Sequence, residues 1–193
     1  DGKYKCGLIL KDTVAGIGTV TFVKDIDVNT TARSEWEIAL EYLIAQKPLV
    51  QGYVMDEVFN KMKGESAAIA PYYAGDCMLM MEENEDLAFY LPEHQGFNLF
   101  VDAMCIPKCS QQKEAAELFI NFMADPEISG ENMNYICYGS PISEAKKFMD
   151  DYLAESEVVY PDPSILENGT SYSFLPAEIS RLVEKLFMQV RNG

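Results

Sequence analysis

The chain has 193 residues, 48% of them hydrophobic and 24% charged, which is enough apolar material for a full domain core and excludes a disulfide-stapled peptide, a coiled coil or a disordered tail. Fifteen Lys and Arg stand against 31 Asp and Glu, a formal net charge of -16, so the summed field repels nucleic acid and anionic lipid and attracts cations. No run of about 18 apolar residues is present, so no membrane-spanning helix is expected.

In chain order, Cys6 to Leu10 reads as a strand feeding a helix that Asp12 would cap from Thr13 onward. From Thr31 to Gln46, Trp36, Leu40, Leu43 and Ile44 recur at helical spacing, Ser34 and Glu37 have the spacing of a capping box, and Pro48 stops the element. Trp36, the single tryptophan, falls on this apolar stripe and is expected in the core. Leu49 to Val54 reads as a strand, Asp56 to Lys63 as a helix and Ser66 to Tyr72 as a strand. A helix opening at Gly75-Asp76 runs to the acidic stretch Glu82 to Asp86. Strands follow over 87–91 and 97–106, the second long, almost wholly apolar and closed by Pro107.

The remainder reads as helical: Gln111 to Met123 with Ala115, Leu118, Phe119 and Phe122 on one face; a helix started by Asp125-Pro126; another from Ile142 to Leu153; and a closing amphipathic helix over Pro176 to Arg191 with Ile179, Leu182, Val183, Leu186 and Phe187 inward. A turn occupies Tyr138 to Pro141, and 161–169 is a turn with a short helix. Strands alternating with helices predict an α/β fold with a mainly parallel sheet, followed by a helical body.

Asp1 opens the chain with no leader or anchor pattern, which points to a cytosolic protein or to one without its leader. Cys6, Cys77, Cys105, Cys109 and Cys137 form no CxxC pair and have only His94 for company, so they read as small buried apolar residues and not as a zinc site. Five unpaired thiols count against an oxidising compartment. No GxSxG, HExxH, P-loop or GxGxxG motif occurs, His94 reads as a solvated loop residue, and the acidic stretch lacks EF-hand spacing, so neither catalysis nor a metal or other cofactor is expected.

Aromatic residues recur beside carboxylates at the predicted strand ends: Tyr72-Tyr73-Ala74-Gly75-Asp76, Phe100-Val101-Asp102 and the turn residue Tyr138. Ring faces hold methylenes and ammonium groups, and carboxylates take the charged ends, so this pairing suits a linear di- or triammonium ligand. The same residues also fit a plain core with Asp102 as a strand-end cap.

The stretches Ala70 to Asp76, Leu99 to Pro107, Asn121 to Glu127 and Tyr138 to Pro141, in this order and spacing, together with Val28 to Thr31 and Tyr160 to Asp162, resemble the spermidine/putrescine-binding proteins (the PotD family) of bacterial ABC transporters. The similarity runs from about Lys3 to the C-terminus. It implies a periplasmic-binding-protein fold: one lobe with a mixed, mainly parallel sheet flanked by helices, formed by 1–98 and 156–193, and a partial, largely helical second body at 99–155 that returns to the first lobe of such proteins. Roughly the first third of the family's length has no counterpart, so segment 99–155 is expected to expose apolar surface or to dimerise.

Carried over position by position, the resemblance gives Asp102 the role of a carboxylate taking an ammonium. It places Tyr73 and Phe100 where tryptophans flank the alkyl chain, Tyr138 on the cleft wall, and Asp12 opposite the far end of the ligand. It departs from the family pattern at Ala15, Met55 and about Tyr172, where a glutamate, a serine and a glutamine are usual, and the first loss favours a ligand with fewer charges, such as putrescine. The implied role is extracytoplasmic capture of a polyamine and delivery to a membrane permease; a sensory or enzyme-fused module, or a receptor for another solute, is the alternative.

Overall fold

A computed structural model describes residues 8–11, 18, 21–22, 24–92 and 94–192. Strand β1 (Leu8–Lys11) pairs in parallel with β2 (Val50–Val54), with a register shift between Leu8 and Ile9. Parallel neighbours need a crossover, and helix α1 (Arg33–Gln46) supplies it. Its buried residues Trp36, Ala39 and Leu43 follow the 3-4 spacing of one helix face and pack on Ile179, Val183, Leu186, Phe187 and Val190 of the closing helix α8 (Ala177–Asn192). The Trp36 indole is buried as expected, and its Nε1–H donates to the Thr30 carbonyl at 3.0 Å. Tyr53 meets Phe187 edge-on at 6.2 Å, fixing β2 to the same core.

Two details of α1 differ from expectation. Ile44 lies one residue beyond the Trp36-Ala39-Leu43 stripe and is half exposed. The Ser34 and Glu37 capping box does not form, because Glu37 pairs with Arg33; the N-cap is Ala32, whose N–H donates to the Thr30 hydroxyl at 3.0 Å.

Helix α2 (Glu57–Lys63) buries Val58 in a small cluster with Ala67, flanked by Tyr72. Helix α3 (Ala74–Glu83) follows, and its Met78 joins Cys137, Met149, Leu153 and Ala154 in a separate core. Ser66 to Tyr72 is no strand beyond a single bridge at Ile69, and residues 87–91 form none. The expected 97–106 strand shrinks to β3 (Phe97–Asn98), which pairs in parallel with β4 (Gly169–Thr170). Beyond it the Leu99 N–H still donates to the Thr170 carbonyl at 3.0 Å, and after that no described backbone offers a ladder partner. An extended apolar sequence without a neighbouring edge has nowhere to place its N–H and C=O groups as a sheet. Val101 is consequently 83% exposed and Met104 is exposed too.

Helix α4 (Lys113–Met123) has the apolar face expected of it but buries none of its residues, with Leu118 at 71% exposure. Cys105 and Cys109 lie in the same uncovered stretch and are exposed, against the expectation of buried thiols; Cys137 is buried, and Cys6 lies outside the described residues. Helix α5 (Pro126–Ile136) starts as anticipated, with Asp125 Oδ1 accepting from the Glu127 and Ile128 N–H groups and proline in the first turn. The predicted helix over 142–153 splits into a 3-10 segment (Ser143–Phe148) and a short helix α6 (Asp151–Ala154). Packing on α5 breaks it: a Cβ on Gly130 would stand 2.6 Å from the Phe148 Cβ, and Asn134 Oδ1 accepts from the Asp150 N–H at 2.8 Å. Helix α7 (Pro163–Leu166), capped by Asp162, precedes β4.

Candidate functional site

Tyr73 is the N-cap of α3, with extended backbone, and its carbonyl accepts from the Cys77 N–H at 2.9 Å. The next turn contains Gly75, which is buried. A Cβ at Gly75 would lie 2.2 Å from Cδ2 and Cε2 of Tyr138, so the missing side chain is the seat of the Tyr138 ring. From that seat the Tyr138 hydroxyl donates to Asp76 Oδ2 at 2.7 Å. Burial first, then the hydrogen bond and charge of Asp76, push the Tyr138 phenol far up, so it remains a neutral donor at physiological pH.

Three ring contacts extend from this point. Phe100 lies 6.3 Å from Tyr138 at 72° and 5.4 Å from Tyr73 at 67°, both edge-on, and Tyr72 lies 5.5 Å from Tyr73 in a tilted pair. Residues from three separate stretches therefore make one aromatic run, Tyr72-Tyr73-Phe100-Tyr138. Tyr73 and Phe100 keep 38% and 41% of their surface exposed, which leaves ring area for a ligand to cover. Tyr172 borders the run: burial, then the neighbouring Tyr73, push its phenol up, and its hydroxyl occupies the space a Cβ on Gly18 would take.

The structure thus brings together three of the five residues singled out in the sequence, Tyr73, Phe100 and Tyr138. Asp102 follows Phe100 by two positions, is exposed, and makes no ion pair among the described residues. Asp12 and Ala15 lie outside the described residues. Met55, just past β2, is exposed. His94 sits in an exposed turn as expected, and among the described residues no group of His, Cys, Asp and Glu is arranged to hold a metal. Part of the acidic stretch is engaged structurally: Glu82 accepts from the Tyr152 hydroxyl at 2.5 Å, and Glu83 pairs with Lys63.

Sequence reasoning missed Gly75 as a seat and Asp76 as the partner of Tyr138. A tight aromatic contact on a helix leaves no local signature except an otherwise unfavourable glycine in the first turn. Replacing Gly75 by alanine is expected to displace Tyr138 and destabilise the protein by about 1–3 kcal/mol, as for other overpacked sites. Urea unfolding checks it; an unchanged midpoint with an unchanged slope means the ring does not sit there.

No helix among the described residues is long and apolar enough to cross a membrane. Residues 28–168 match the family described as bacterial extracellular solute-binding protein. The chain is 24% identical over 192 residues to the spermidine/putrescine-binding periplasmic protein of Salmonella typhimurium, covering 99% of this chain and 55% of that protein. It is 23% identical to the protein of the same description from Escherichia coli, with the same coverage. Among solved structures it superposes on the spermidine/putrescine ABC transporter substrate-binding protein PotD of Streptococcus pneumoniae with a TM-score of 0.87 and 26% identity, covering 100% of this chain and 59% of that one. The fold is that of the periplasmic binding proteins, and the chain spans little more than half the length of the relatives it matches.

Proposed function

The chain belongs to the bacterial extracellular solute-binding proteins, and from that membership we propose that it is the C-terminal portion of an extracytoplasmic receptor that captures a polyamine and delivers it to the permease of an ABC importer. It carries out no catalysis in this reading. The observation that carries the reading is the half-exposed run Tyr73-Phe100-Tyr138, with the carboxylates of Asp76 and Asp102 beside it in the chain and no ion pair on either among the described residues. Ring faces suit the aliphatic segments and the polarised CH groups of an alkyl ammonium, and unpaired carboxylates suit its charged ends. The acidity of the whole chain, -16 at pH 7, favours approach of a polycation.

In the proposed arrangement residues 1–98 and 156–193 form one lobe and 99–155 return to the other, with Phe100, Asp102 and Tyr138 contributed to the ligand site by the return segment and Tyr73 and Asp12 by the rest of the chain. Supporting it, that segment leaves Val101, Met104, Leu118, Phe119 and Phe122 exposed. They are the surface that the remainder of the first lobe would bury. A hinged closure of the two lobes then removes the ligand from water.

A thermal-shift screen of the full-length protein against spermidine, putrescine, cadaverine and amino acids tests the reading. A polyamine at 100 times its dissociation constant is expected to add about 2.7 kcal/mol of stability. A shift with an amino acid and none with any polyamine overturns it. Phe100→Ala removes one ring from the middle of the run and is expected to weaken polyamine binding by about 1 kcal/mol, roughly fivefold, in calorimetric titration. Unchanged affinity there takes Phe100 out of the site.

A further inference from the structure

Asp76 is the carboxylate that the described residues tie directly to the aromatic run. We propose that it is a second ammonium-binding group of the cleft, held in place by Tyr138 and deciding how strongly a ligand with two charges is preferred over one with a single charge. The inference rests on the amine-binding reading and adds to it a residue that no comparison with Asp102 or Asp12 supplies.

The geometry argues for a preorganised charge. Only Oδ2 of Asp76 is engaged, by the Tyr138 hydroxyl at 2.7 Å; Oδ1 has no partner among the described residues. The side chain is half-buried and forms no ion pair there. A carboxylate partly withdrawn from water without a counter-ion gains when a cation enters, because the desolvation cost is already partly met. Gly75 seats the Tyr138 ring against α3, so the same contact that completes the aromatic run fixes the carboxylate beside it. Asp76 also reaches the opposite end of the run, where it joins burial in pushing the Tyr72 phenol upward. A tyrosine that donates to a carboxylate and keeps its own proton is a positioning group: it orients the charge and leaves it intact.

A ligand cycle separates this role from a structural one. Putrescine and butylamine share a four-carbon chain and differ by one ammonium, so their affinity ratio isolates what the second charge gains. In calorimetric titrations of the full-length protein, Asp76→Asn keeps an acceptor for Tyr138 and removes the charge. Putrescine affinity is expected to fall at least about tenfold and the putrescine-to-butylamine ratio to shrink at least about fivefold, the size expected when one member of a close charged pair is lost. An unchanged ratio overturns the assignment even if both affinities fall together. If Asp76→Asn does not fold, Tyr138→Phe asks the same question, since it frees the carboxylate: the ratio is expected to fall, and a constant ratio overturns the role. Failure of the wild-type protein to bind either amine, or any polyamine, overturns the amine-binding reading itself and the inference with it, whereas wild-type binding with an indifferent Asp76→Asn overturns the inference alone.

Discussion

Asp102→Ala in the full-length protein is expected to weaken spermidine or putrescine binding by at least about tenfold, because removing one partner of a desolvated charged pair costs on the order of 2–5 kcal/mol. The carboxylate is exposed and unpaired by any cation among the described residues, two positions beyond a ring that lies between Tyr73 and Tyr138. Its exposure also sets the control. A surface substitution away from packed groups changes stability by less than about 0.5 kcal/mol, so the unliganded melting temperature is expected to hold while affinity falls. Calorimetric titration with Asp102→Asn beside Asp102→Ala separates charge from size: if the charge matters, both variants lose affinity alike. Unchanged dissociation constants remove Asp102 from the ligand site and leave the aromatic run without its expected carboxylate.

Helices were legible because their signal is local. Trp36 and Leu43, or Ile179, Val183, Leu186 and Phe187, repeat at the spacing of one face, and Asp125-Pro126 carries its own start signal. Strands were legible only in part: those read over Cys6 to Leu10 and Leu49 to Val54 coincide with β1 and β2 over the described residues, but a strand exists only where a second edge accepts its hydrogen bonds, and the apolar sequence of 97–106 says nothing about where that edge is. The same limit governs 142–153, whose helical pattern yields to the close approach of Phe148 on Gly130. In the site, residue types could be read and contacts could not. Tyr73, Phe100 and Tyr138 stood out as aromatics near acids, but the first two lie 27 positions apart in the chain, and only the fold places their rings 5.4 Å apart. Asp76 was visible in the same stretch as Tyr73, yet its bond to Tyr138, 62 positions away in sequence, depends on the adjacent Gly75 seating that ring.

Trp36→Ala is expected to remove about 3–5 kcal/mol of stability, the usual result of emptying a large buried aromatic site. Three terms add at this position. The indole is 3% exposed and fills the contact between α1 and α8, so its transfer free energy is lost. Ala39, Leu43, Val183 and Val190 around it are themselves closely packed and relax only partly into the space. The Thr30 carbonyl then loses the Nε1–H that bonds it at 3.0 Å, which leaves a buried acceptor unsatisfied unless water enters. Trp36→Phe restores most of the volume and none of the hydrogen bond, so it is expected to recover most of the lost stability. Urea unfolding of the full-length protein, followed at constant slope, reads all three proteins on one scale. A loss below about 1 kcal/mol for Trp36→Ala means that the α1–α8 contact does not hold the lobe together, because native domains have only about 5–15 kcal/mol in total and a buried tryptophan in the main core cannot be that inexpensive. The outcome also bears on the ligand site: β2 is fixed to this core through Tyr53 and Phe187, and the chain leaving β2 leads through α2 to Tyr73. A lobe that loosens at Trp36 is therefore expected to present Tyr73 less rigidly, and polyamine affinity falls along with stability, whereas Asp102→Ala lowers affinity alone.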